Sequence, residues 1–75
     1  MSAKVGVPVK ILVRCGAVAK GTCGSATHFI ETVEPGQQGL YVGKVPGPLG
    51  KKDWHVVSLG AYDVPLHSSQ FEVLA

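Results

Sequence analysis

Cys15, Cys23, His28, His55 and His67 include metal-ligating and nucleophilic types in a chain of 75 residues. A structural zinc site draws on ligand pairs only a few residues apart. Here Cys15 and Cys23 are eight positions apart and His28 follows Cys23 by five, so no pair advertises a metal site. Gly43 to Lys52 has the glycines and lysines of a phosphate loop. Its Gly50-Lys51-Lys52 end lacks the hydroxyl residue that would ligate magnesium, and an aromatic strand candidate follows instead of a helix. What remains is a turn-rich loop carrying two adjacent positive charges, Lys51 and Lys52. With Lys44, Lys10 and Arg14 these lysines could track phosphates, while Tyr41, Trp54 or Tyr62 stacked on unpaired bases. The same aromatic residues are also the types that anchor protein interfaces.

Gly21-Thr22-Cys23-Gly24-Ser25-Ala26 is similar to the surroundings of a papain-type nucleophile. A reactive thiolate needs a histidine to take its proton and a third group to orient that histidine. In the larger proteases a second lobe supplies the base, and this chain has no length for one. The expectation is a glycine-rich loop with a small thiol, and no catalytic, cofactor-binding or metal-binding residue is assigned. Cys15 and Cys23 are expected to be free thiols. The start, Met1-Ser2-Ala3-Lys4, has no apolar secretory stretch, which points to a reducing, cytoplasmic setting.

Such residues need elements to hold them, and the elements read as strands. Hydrophobic residues make up 45% of the chain and charged residues 16%, which excludes a disordered tail. Ten glycines and five prolines separate short, valine-rich apolar runs, the texture of strands joined by turns. Val5, Val7, Val9, Ile11 and Val13 alternate with Lys4, Gly6, Pro8, Lys10 and Arg14, which predicts a half-buried strand with Lys10 and Arg14 outward. Residues 15–26 are small and glycine-rich and read as a loop or bulged ribbon. Further strands are predicted over 27–33, 40–45, 54–59, 62–66 and 71–74. Turns fall at 34–39 and near Gly60-Ala61, with one helical turn at His67-Ser68-Ser69-Gln70. Alternation places Trp54 with Val56 and Ser58, opposite the more core-like Val57 and Leu59. The longest aliphatic run in the first strand, Ile11-Leu12-Val13, is far short of a membrane span.

From Glu34 to Leu74 the chain resembles the SH3-like small β-barrel superfold. Pro35-Gly36-Gln37-Gln38-Gly39-Leu40-Tyr41-Val42 is similar to the entry turn and strand of KOW-type barrels. Trp54 to Leu59 resembles the central strand, and Val64-Pro65-Leu66 through Phe71-Glu72-Val73-Leu74 the closing turn and strand. The resemblance implies an all-β fold: one barrel domain over 1–75, of five or six short strands, with a short helical turn before the last. One enzyme of this barrel type and nearly this length is the plasmid-type dihydrofolate reductase, an oligomer with a Val-Gln-Ile-Tyr signature in its pore. Val64-Pro65-Leu66-His67 stands in that place and lacks the glutamine and tyrosine that hold cofactor and substrate.

A chain this short buries only about 60% of its unfolded surface, so a deep catalytic cleft would consume much of its core. Binding on an outer face costs the fold less. The sequence therefore points to a non-catalytic binding module for protein recognition or self-association, without cofactor and without membrane contact. Its anchors would be Trp54, Tyr41 and Tyr62. The alternative is binding of RNA or single-stranded nucleic acid through Lys51, Lys52, Lys10 and Arg14, on a net charge of only +2. An oligomeric barrel enzyme is the remote third reading.

Overall fold

The structure, a computed structural model, describes residues 5–23, 28–45 and 54–74. Seven strands run through them: β1 (Pro8–Ile11), β2 (Cys15–Ala19), β3 (Glu31–Val33), β4 (Gln38–Val45), β5 (Trp54–Ser58), β6 (Tyr62–Leu66) and β7 (Phe71–Val73). A 3-10 turn at Ser68–Gln70 leads into β7. All pairings are antiparallel, in the order β3-β2-β6-β5-β4-β1-β7. No helix among the described residues is long and apolar enough to cross a membrane. The loop expected to carry Lys51 and Lys52 lies outside the described residues.

Burial explains why this sheet curls. One core cluster takes Val9 and Ile11 from β1, Ala17 from β2, Val33 from β3, Tyr41 from β4, Val57 from β5, and Val64 and Leu66 from β6. On a flat sheet β3 and β1 would be five strand spacings, roughly 24 Å, apart. They meet because the sheet rolls into a half-barrel around its apolar face. The register of β4 against β5 shifts between Tyr41 and Gly43, a bulge that strengthens local twist, and Gly43 takes a φ of +146° there. The chain crossing from β1 is pinned on both sides: the Ile11 amide donates to the Gln37 carbonyl, and Leu12 to Gln70.

The strand count exceeds the five or six expected, and the excess is β2. Residues 15–19 carry little hydrophobic bulk, which is why they read as a loop or bulged ribbon and not as a regular strand. They form a strand because both edges find partners: Cys15, Gly16 and Ala17 pair with β3, and Val18 and Ala19 pair with β6. Backbone pairing on two sides outweighs weak side-chain propensity. The other elements stand within a few residues of their expected bounds, except that the expected strand over 27–33 shortens to Glu31–Val33.

Candidate protein-binding face

Alternation decides which side chains the sheet offers outward. With Val57, Val64 and Ala17 turned into the core, Trp54, Val56 and Ser58 of β5 face the other way. So do Asp63 and Pro65 of β6, and Gly16 and Val18 of β2. The register brings them together: Val56 lies opposite Pro65, Ser58 opposite Asp63, and Asp63 opposite Val18. This outer face is mostly apolar.

Trp54 is half-buried at one end of it, its ring stacked on His67 with centroids 4.2 Å apart and planes 27° from parallel. His67 is held there by its own short turn. Its amide donates to Gln70 Oε1 (2.9 Å), and the Gln70 amide donates to the His67 carbonyl (2.9 Å). The motif His-Ser-Ser-Gln thus builds a reciprocal cap that fixes the partner of the indole. Across the groove Phe29 lies directly over Gly16, where any Cβ would collide with its ring. Phe29 is nevertheless 61% exposed. Cys15, Gly16, Phe29, Trp54, Pro65 and Gln70 line a groove of about 240 Å³, and none of them is charged.

The expected anchors separate. Trp54 is on the outer face. Tyr41 is in the core, 4% exposed, with its hydroxyl 2.8 Å from His55 Nδ1 and its ring near Phe71. Burial pushes the Tyr41 hydroxyl pKa above its usual value. Tyr62 is half-buried and packs against the same core. Neither ring offers a stacking surface beside Trp54. Arg14 pairs with Glu34 (3.2 Å) at an exposed site, a bridge contributing at most about 1 kcal/mol. Lys10 is half-buried on β1, in register with Glu72 of β7 and Gln38 of β4. Lys10 and Trp54 therefore stand on strands separated by β4. Phe29 escaped the sequence reading because its segment has mixed faces. The available signal was Gly16, a glycine inside a pairing strand that leaves room for a cross-strand ring.

A second depression lies at the other end of the face, around Asp63. The turn after β2 folds over the sheet here: the Gly21 amide donates to Asp63 Oδ2 (2.8 Å), and Val18, Val56 and Asp63 are all less than a tenth exposed. Both cysteines are free thiols. Burial raises the Cys15 thiol pKa. Burial, and secondarily the charge of Asp63, push Cys23 up to about 11 from 9.0. Cys23 should therefore carry roughly a hundredfold less thiolate at pH 8 than an unshifted thiol. We expect slow iodoacetamide labelling of Cys23, read by peptide mass spectrometry, and faster labelling in Asp63→Asn. Labelling as fast as in the urea-unfolded chain would contradict this placement. The sign for stability follows: the folded state holds this proton more tightly, so its contribution is complete below pH 9.0 and lost as pH rises through about 11.

Among the described residues no group of His, Cys, Asp and Glu could hold a metal ion. Comparisons with known protein families, with curated proteins and with solved structures find no match to this chain.

Proposed function

We propose that this protein is a small non-catalytic binding module that recognises a protein segment, including one on a second copy of itself, through the face centred on Trp54. The observation that carries this reading is the uncharged groove between Trp54 and the largely exposed Phe29. Aromatic side chains in a concave apolar site are the usual anchors of protein recognition. A groove of about 240 Å³ accepts one or two side chains of an extended segment, which suits a modest, reversible contact. Nucleic-acid binding would instead need cations tracking the backbone beside the stacking ring. No cation lines this groove among the described residues and Arg14 is engaged with Glu34, while Lys51 and Lys52, on which the nucleic-acid reading rests, lie outside the described residues.

We also infer that the half-barrel is a variant of the SH3-like barrel. The 3-10 turn before the closing strand and the pairing of that strand with the first one support this.

Two measurements test the binding reading. Light scattering over a dilution series reports self-association. Selection from a displayed peptide library, counter-selected against Trp54→Ala, reports segment recognition. Either a concentration-dependent mass or Trp54-dependent peptides is expected. A strict monomer that enriches no such peptide overturns the proposal.

A further inference from the structure

Asp63 is 6% exposed, and while its Oδ2 accepts from the Gly21 amide, its Oδ1 has no hydrogen-bond partner. Buried polar atoms in folded proteins are almost always paired, and an orphaned carboxylate oxygen demands an explanation. The residue forms part of the wall of a cavity of about 200 Å³ on the outer face, distinct from the Trp54 groove. Val42, Val45 and Val56 supply apolar walls, and Gly21 and Gly43 narrow it with backbone alone. A Cβ on Gly43 would meet nothing within 4 Å, so the space above the β4 bulge is open. A bound water would satisfy the oxygen but would make no use of the apolar walls beside it.

We propose that this cavity is a binding site for an aliphatic primary ammonium, with the cation on Asp63 and the alkyl stem against the three valines. The chemistry selects this class. A carboxylate shut away from water is costly to leave unpaired, and a cationic hydrogen-bond donor is its strongest partner. A guanidinium pairs best through two parallel bonds to both carboxylate oxygens, and here one oxygen already serves Gly21. An ammonium is a compact donor that needs only the free one. The remaining lining groups are Cys23, whose thiol stays neutral at physiological pH, and Lys44, an exposed residue of β4. The only ion pair among the described residues is Arg14–Glu34, so Lys44 does not already neutralise Asp63. The ammonium could belong to a free alkylamine or to a lysine side chain of another protein, and the two are separable.

The Gly21 amide, bonded to Asp63, is a local reporter. In amide-resolved NMR, n-butylammonium chloride is titrated against equal potassium chloride, beside n-butanol and Nα-acetyl-lysine N-methylamide. Saturable shifts of Gly21 and Gly43 are expected with both amines and not with butanol. Tighter binding of the lysine derivative assigns the site to a protein lysine, and tighter binding of butylammonium to a free amine. Asp63→Asn retains an oxygen for the Gly21 amide and should lose at least tenfold in affinity. If that variant does not fold, Val45→Phe, which fills the cavity from its rim, must lose binding instead. Trp54→Ala should bind butylammonium normally, whatever happens to the Trp54 groove. Linear shifts for every probe, shifts equal to those of butanol, or full affinity in the folded variants overturns the proposal.

Discussion

Trp54→Ala is expected to abolish partner binding or self-association while the β-rich fold survives. The indole is half-buried on the outer face, and its ring contact is His67, itself exposed. Removing it deletes one wall of the groove and leaves the core cluster untouched. Truncating a central aromatic anchor typically costs about 2 kcal/mol or more in binding, which is at least roughly thirtyfold in affinity. His67→Ala, which keeps the indole and removes only its stacked partner, should fall between wild type and Trp54→Ala. Titration of a selected peptide by tryptophan-independent calorimetry reads the affinity, and circular dichroism reads the fold. Retained affinity with retained fold would refute the assignment. Unfolding of Trp54→Ala would mean that the indole supports the sheet rather than a partner.

Gly39→Ala should destabilise the fold more than any other single methyl addition at a described glycine. A Cβ there would lie 2.6 Å from the Ser58 carbonyl oxygen, 2.7 Å from Val57 Cγ1 and 2.8 Å from Leu59 Cδ2. The first obstacle is the backbone of the paired strand β5, which cannot turn aside as a side-chain tip can. Overpacking of this kind costs about 1–3 kcal/mol. A 75-residue domain has only about 4–11 kcal/mol in total. A fall in Tm of roughly 10–15 °C is expected for a change in the middle of that range. Gly16→Ala is the informative contrast. Its obstacle is the Phe29 ring, a largely exposed side chain that can swing outward. That variant should melt within a few degrees of wild type yet bind partner less well, because Phe29 leaves the groove. Equal losses of Tm in the two variants would show that Phe29 is as fixed as the β5 backbone.

These two glycines mark where sequence reading stops. Gly16 stands among small residues and Gly39 between Gln38 and Leu40, and neither reveals from its neighbours whether a ring or a strand crosses above it. Alternation alone indicated that Val9, Ile11 and Val57 face inward and that Trp54 faces outward, because a strand's side chains alternate whatever surrounds it. Gly-Pro punctuation marked most of the turns, and the His67–Gln70 turn was legible as a break before a final apolar strand. The all-β character of the chain was therefore written in local pattern.

What covers each face was not. Tyr41 and Tyr62 look like interface anchors until the roll of the sheet turns both toward a core shared by strands from its opposite ends. Val56 lies on the outward side of β5 yet is 4% exposed, and the turn that holds Gly21 and Cys23, more than thirty positions earlier in the chain, crosses beside it. The same crossing buries Asp63, which had nothing in its local sequence to single it out. Periodicity assigns a side chain to a face through the geometry of its own strand. Burial, pairing and pocket formation depend on which distant segment arrives opposite, and only the curled sheet decides that.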